Sequence, residues 1–98
     1  MTWNVQLENE NRKVISSLDE LFDCPLLHNS EVLEKSHLLR YVDPYGDTVF
    51  NNLQIDDLLA DLEMLLEYEP ENGLIKEIIK LANECKSRVH TYLVFYGD

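Results

Sequence analysis

The side chains able to do chemistry are two cysteines, three histidines and nineteen acids in a chain of 98 residues. Cys24 and His28 stand four apart, with His37, Cys85 and His90 elsewhere. A structural zinc site needs four such groups converging at about 2.0–2.3 Å, commonly as C-x-x-C and H-x-x-x-H pairs. Neither spacing occurs, and Pro25 directly after Cys24 works against a helical i,i+4 arrangement with His28. Cys85 falls on an apolar helical stripe and reads as core, so no Cys–His nucleophile is assigned. The carboxylates are abundant, but general acid–base work needs a pocket that shifts their pKa, and no pattern marks one. The three glycines, Gly46, Gly73 and Gly97, fall in turns or the tail and build no phosphate-binding loop. The sequence therefore predicts no catalytic residue, no metal ligand and no cofactor.

What the acids do show is an uneven distribution. Nineteen acids against eight bases give a net charge of −11 and a pI near 4.5. Residues 1–40 hold seven acids and four bases, residues 41–75 nine acids and no base, and residues 76–98 three acids and four bases. Such a charge excludes binding to a phosphate backbone, which relies on Lys and Arg, and suits a basic protein partner. In the base-free segment no Lys or Arg sits at i±4 to neutralise an acid, so the repulsion is left standing. A helical wheel gathers Asp56, Glu63 and Glu67 on one flank, turns Asp57 outward, sets Asp61 on the other flank and points Met64 out among them. An exposed Met ringed by acids is an adaptable apolar contact. The alternative is an ordinary solvated helix face.

These side chains need elements to position them. Met1 to Leu7 alternates with Trp3, Val5 and Leu7 on one face, the period of a half-buried strand. Asn9-Glu10-Asn11 supplies a turn, and Lys13 to Ser16, with Val14 and Ile15, returns as a second strand. Ser17-Leu18-Asp19-Glu20 matches a capping box and predicts a helical turn to about Asp23, carrying Leu18, Leu21 and Phe22 inward and ending at Pro25. Residues 26–35 read as loop or as a short helix begun at Ser30. His37 to Val42 reads as a strand. Asp43-Pro44-Tyr45-Gly46 has the type I turn signature, with Tyr45 at its tip as a candidate interface anchor flanked by Asp43 and Asp47. Thr48-Val49-Phe50 is the return arm, so residues 37–51 are expected to form a hairpin.

The strongest periodic signal follows. Ile55, Leu58, Leu59, Leu62, Leu65 and Leu66 make a continuous helical stripe, with Asp56 and Asp57 in the first turn, where the helix dipole favours acids. Pro70 ends it. Asn72 is placed to cap a second helix burying Leu74, Ile75, Ile78, Ile79, Ala82 and Cys85. Val89 to Tyr96 is an aromatic, β-branched run with few polar positions, the mark of a central strand, and Gly97-Asp98 is read as a free end. The expected fold is a single α+β domain over residues 1–98, an antiparallel or mixed β-sheet with two antiparallel helices packed on one face. No apolar run reaches the roughly 18–20 residues of a membrane span, and Glu8, Glu10, Arg12 and Lys13 interrupt any signal-peptide core. With only two cysteines, a reduced cytoplasmic setting is expected.

The run Tyr41-Val42-Asp43-Pro44-Tyr45-Gly46-Asp47-Thr48-Val49-Phe50-Asn51, followed by Leu53-Gln54 and the acidic helix, resembles a loose group of small bacterial proteins. They share this D-P-Y-G-D-T-x-F-N segment ahead of a helix. In size, acidity and α+β make-up the chain is also similar to bacterial immunity proteins, which pair with basic toxic nucleases. That resemblance implies a non-enzymatic protein that occludes a basic toxin domain. The expected contact residues are Asp43, Tyr45, Asp47, Asp56, Asp57, Asp61, Glu63, Met64 and Glu67. A nucleic-acid mimic or adaptor is the alternative among binding proteins. A self-associating structural protein is another, with the Val94–Tyr96 run as its exposed apolar face if that strand lies at an edge.

Overall fold

In the computed structural model, which describes residues 2–97, four strands and three helices are arranged as an antiparallel sheet with a helical hairpin on one face. Met1 and Asp98, at the predicted strand start and free end, lie outside the described residues. Strand β1 (Trp3–Asn9) turns back into β2 (Val14–Ser17) through a tip in which the Asn9 side chain accepts from the N–H groups of Asn11 and Lys13. Arg12 sits there at φ 64°, in the left-handed region.

The capping box at Ser17 is not used. Ser17 ends β2, and the chain runs on beside the start of β1: Leu18 donates to the Val5 carbonyl at 3.0 Å, and Trp3 and Phe22 exchange backbone bonds at 2.9 and 2.7 Å. Leu18 and Phe22 are buried as expected, but Leu21 is 58% exposed, because the extended path puts it on the opposite side from Phe22. Sheet pairing here outweighs a local cap, as tertiary context commonly does. Pro25 opens a single 3₁₀ turn, Pro25–His28, where the fixed φ of proline suits a first helical position. Of the two alternatives for residues 26–35 the helix forms: α1 (Ser30–Glu34) begins at Ser30, capped by the Asn29 side chain, which accepts from the N–H groups of Glu31 and Val32.

The predicted strand His37–Val42 is instead a 3₁₀ turn, Leu39–Tyr41. Its amides do not seek a neighbouring strand because a carboxylate already holds them, as described below. The 37–51 hairpin accordingly does not form. Strand β3 (Asp47–Asn51) pairs with β4 (Thr91–Gly97), in register from Asp47↔Tyr96 to Asn51↔Tyr92. The sheet order is β2-β1-β4-β3, so the final strand is central, as its composition predicted. The Val94–Tyr96 run therefore offers no sheet edge. Nor is Gly97 a loose tail. Its N–H donates to the Gly46 carbonyl at 2.9 Å, and a Cβ there would fall 2.6 Å from the Asp43 and Pro44 backbone. Only glycine fits so close a backbone approach.

Helices α2 (Ile55–Tyr68) and α3 (Gly73–Ser87) form the hairpin that the two apolar stripes predicted. Asn72 caps α3 by accepting from the Ile75 N–H at 3.0 Å. Ile55, Leu58, Leu62 and Leu65 of α2, with Ile75, Ile78, Leu81, Ala82 and Cys85 of α3, bury against Val5, Leu7, Leu93 and Phe95 in one core. Phe50 meets Phe95 edge to face, ring centres 5.8 Å apart. The Trp3 indole donates to the Asp43 carbonyl at 3.0 Å, tying the 43–46 turn to the start of β1. Cys24 and Cys85 are buried free thiols. No helix among the described residues is long and apolar enough to cross a membrane.

Candidate functional site

The helix face holds part of the predicted contact surface. Successive outward positions of α2 are Asp56, Asp57, Ala60, Glu63 and Glu67, all exposed. Asp56 pairs with Lys86 of α3 at 2.7 Å, both side chains lying largely in water. Asp57, Glu63 and Glu67 form no ion pair among the described residues. Lys35 of the neighbouring loop approaches this region, but its ammonium donates to the Tyr68 hydroxyl at 2.7 Å rather than to an acid. The outward positions of α3 differ. Lys76, Glu77, Lys80 and Asn83 are mixed in sign, and Lys80 bridges Glu77 at 3.2 Å. Acid excess is thus a property of the α2 face and not of the exposed helices in general.

Two predicted contact residues do not belong to that face. Asp61 is 1% exposed and points inward, against the expectation that it lies on a solvent-facing flank. Its Oδ2 accepts from the N–H groups of His37 at 3.0 Å, Leu38 at 2.7 Å and Leu39 at 3.1 Å, and its Oδ1 accepts from His37 at 2.9 Å. Three successive amides converge on one carboxylate, an anion nest that satisfies donors a helical turn otherwise leaves open. Met64, expected to point outward, is half-buried and packs against the core. Both sit where the wheel borders the apolar stripe, and what lies opposite that border decides their direction.

The 43–47 turn lies elsewhere. The Asp43 carboxylate accepts from the Tyr45 N–H at 2.8 Å, and the Asp43 N–H donates to the Thr48 hydroxyl at 2.9 Å. Tyr45 is 75% exposed, as a loop-tip aromatic should be. Asp47 alternates with the core residue Phe50 along β3 and sits opposite Tyr96, so it projects from the sheet face that the helices leave open. The sheet separates it from the acids of α2, and the two halves of the predicted surface do not form one patch.

That open face holds groups that sequence reading passed over. Rows across the strands set Glu8 beside Tyr92, Gln6 beside Val94 and Val49, and Asn4 beside Tyr96 and Asp47. The Tyr96 hydroxyl donates a short hydrogen bond to Glu8 Oε2 and accepts from Arg12 Nη2 at 3.3 Å. Arg12 Nε lies 3.6 Å from Glu8 Oε1. Since Tyr96 stands opposite Asn4 yet reaches Glu8, its ring runs along the face over the intervening row. Val94 is accordingly only 1% exposed and Glu8 3%. Burial, reinforced by the bond donated to Glu8, raises the Tyr96 pKa, and the bond to Tyr96 raises that of Arg12. Glu8 reads locally as the polar side of a half-buried strand. The residue that buries it is 88 positions away, so no nearby pattern marks it. Between these side chains lies a cavity of about 200 Å³ lined by Glu8, Asn9, Glu10, Arg12, Val49, Tyr92 and Val94.

Burial raises the pKa of both Cys24 and Cys85, which keeps them as thiols, the opposite of an activated nucleophile. No group of three or more His, Cys, Asp or Glu side chains able to hold a metal ion occurs among the described residues. Comparison of the chain with protein-family models, curated proteins and solved structures returned no match.

Proposed function

We propose that this chain is a non-enzymatic protein-binding domain that engages a basic protein through the exposed acids of α2. In its most concrete form it is an immunity protein that covers the nucleic-acid-binding surface of a basic toxin. The observation that carries the reading is the α2 face itself: Asp57, Glu63 and Glu67 project into water without an ion-pair partner among the described residues, around the small Ala60. Like charges at helical spacing destabilise an isolated helix by a few tenths of a kcal/mol per pair. A partner's Lys and Arg side chains would relieve that repulsion and be steered in at rates that fall with salt. The Leu-rich stripe beneath gives the acids a rigid mount, which limits the entropy lost on binding.

The test uses Asp57→Lys, Glu63→Lys and Glu67→Lys combined. All three positions face water, so the variant folds. A basic protein that co-purifies with the native chain is isolated, and its association with both forms is followed by stopped flow at low and high salt. The expected result is association slower by about tenfold or more at low salt and a flatter salt dependence. If the partner is a nuclease, the native chain abolishes its cleavage of nucleic acid and the variant does so only at higher concentration. Equal association rates and equal salt slopes for the two forms would refute the reading.

A further inference from the structure

Strand β3 is one of the two edges of the sheet, and part of its outer side is open. The Gly97 N–H donates to the Gly46 carbonyl at 2.9 Å, which continues the β3–β4 register by one pair. Bonding alternates along an antiparallel ladder, so Thr48 and Phe50 bond to β4, while Asp47, Val49 and Asn51 turn their N–H and C=O groups away from the sheet. Asn51 is closed: its N–H donates to Gln54 Oε1 at 2.9 Å, and its carbonyl accepts from the Gln54 N–H at 3.0 Å. The backbone groups of Asp47 and Val49 that face outward have no hydrogen-bond partner among the described residues, and both residues are exposed. The opposite edge is blunted. There β2 follows Arg12 and Lys13, and its register with β1 is broken at Leu7/Glu8. A lysine and a bulge are common means of keeping an edge from pairing. Strand β3 has neither, and its register with β4 is unbroken.

We infer that the β3 edge takes up one extended basic segment of a protein partner, added antiparallel as a fifth strand of the sheet. The inference rests on the reading that the partner is basic. Two residues of such a segment, spaced two apart, satisfy the four free backbone groups of Asp47 and Val49. Their side chains then stand beside Val49 and Asp47 on the open face, which selects an apolar residue at the first place and Arg or Lys at the second. Asp47 forms no ion pair among the described residues, and Arg12, on the same face, is held by Tyr96 and Glu8. No base occurs between residues 41 and 75, so none on the strand or its flanks competes for the site. A second copy of this chain is disfavoured by the same charges. Pairing Asp47 of each copy with Val49 of the other sets two Asp47 carboxylates diagonally on one face, between chains that each carry −11.

The test is a titration of the ¹⁵N-labelled full chain with the peptide acetyl-Thr-Val-Thr-Arg-Thr-amide, followed by amide chemical shifts and hydrogen exchange. The same peptide N-methylated at its valine, and the peptide with glutamate in place of arginine, serve as comparisons. The expected result is saturable shifts centred on residues 47–51 at millimolar peptide, with exchange of the Val49 amide slowed about tenfold. The N-methylated peptide should give no saturable response, and the glutamate peptide should bind about tenfold more weakly. Asp47→Lys should reverse the order of the arginine and glutamate peptides. Val49→Pro removes one outward N–H and leaves the bonds to β4 intact, a placement that edge strands tolerate, so binding should be lost while the spectrum stays dispersed. The triple α2 variant should bind the arginine peptide within about twofold of the native chain, because its changed charges lie beyond the sheet and are screened. Shifts centred on the α2 acids, an equal response to the N-methylated peptide, equal binding of the two charge forms, no saturable response, or dimerisation of the chain alone through this edge would each overturn the inference. Those outcomes leave the association kinetics of the α2 variant untouched, so failure of the added strand and failure of the proposed function are told apart.

Discussion

Replacing Asp61 should unfasten the segment ahead of the 43–46 turn. The carboxylate is 1% exposed and takes hydrogen bonds from three backbone N–H groups between 2.7 and 3.1 Å. Bonds to a charged acceptor contribute about 1.5–3 kcal/mol each, and a buried donor left unpaired costs about 1–3 kcal/mol. In Asp61→Ala the Leu39 N–H, on a residue 2% exposed, loses its partner fully, while His37 is exposed enough for water to take its place. The expected loss is about 3–4 kcal/mol, after a gain of roughly 0.5 kcal/mol from the better helix propensity of Ala. Set against a total of about 5–15 kcal/mol for a domain of this size, that is a large share. Asp61→Asn should cost less, because its carbonyl can stand where Oδ2 stands and keep the Leu38 and Leu39 bonds. Its amide then confronts the His37 N–H.

Urea unfolding followed by the fluorescence of the buried Trp3 measures both variants, with Asp57→Ala as the exposed-acid control. The order of stability should be native, Asn, then Ala, with the control within about 0.5 kcal/mol of native. An Asp61→Ala change no larger than the control would mean that Asp61 is the solvent-facing acid its helical position first suggests, and that the 37–39 turn is held by something else.

Leu62→Ala, at a fully buried position of the α2 stripe, should cost about 2–5 kcal/mol in the same assay. Gly97→Ala should cost about 1–3 kcal/mol by forcing a Cβ against the Asp43–Pro44 backbone, and should broaden amide signals of the 43–46 turn. Tyr96 has a folded-state pKa raised chiefly by burial, so its contribution to stability is complete below about pH 10 and is lost as pH rises through the folded-state value. Stability against urea measured through the alkaline range should fall more steeply for the native chain than for Tyr96→Phe. Cys24 and Cys85, buried and held as thiols, should react with a disulfide reagent at neutral pH only after denaturant is added.

The elements legible in the sequence are those whose signal is local and repeated. The Leu and Ile stripes, the Asn72 cap, the β1 alternation and the apolar final strand are local signals, and each element forms, the first strand shifted by two residues and the last beginning at Thr91 rather than Val89. The two segments misread share a cause. Residues 18–22 and 37–39 both have plausible local structure of their own, and in both a distant partner takes the backbone donors first. Near the start of β1, that partner is the backbone of Trp3 and Val5, and at the 37–39 turn it is the Asp61 carboxylate. A helix wheel places Asp61 within one flank, and a flank is wide enough to span solvent and core. Glu8 shows the same limit on a strand: alternation assigns its face, while its burial depends on Tyr96 from the far end of the chain.

These displacements redraw the charge argument. Of the nine acids between residues 41 and 75, Asp61 is consumed by the 37–39 turn, Asp43 by the Tyr45 turn, and Asp56 is paired with Lys86. The six left divide into two sets with the sheet between them, Asp57, Glu63 and Glu67, with Glu69 and Glu71 in the turn that follows, on the helix side and Asp47 on the open side. A rigid partner of ordinary size, covering about 800 Å² of this chain, reaches one set and not both. Engagement of both requires a partner that wraps a sheet edge or presents a flexible basic arm. A single flat basic surface predicts that charge reversal on α2 and Asp47→Lys have separable effects, only one of them slowing association. A wrapping arm predicts that both slow it and that their effects add, since the two sites are too far apart to share contacts.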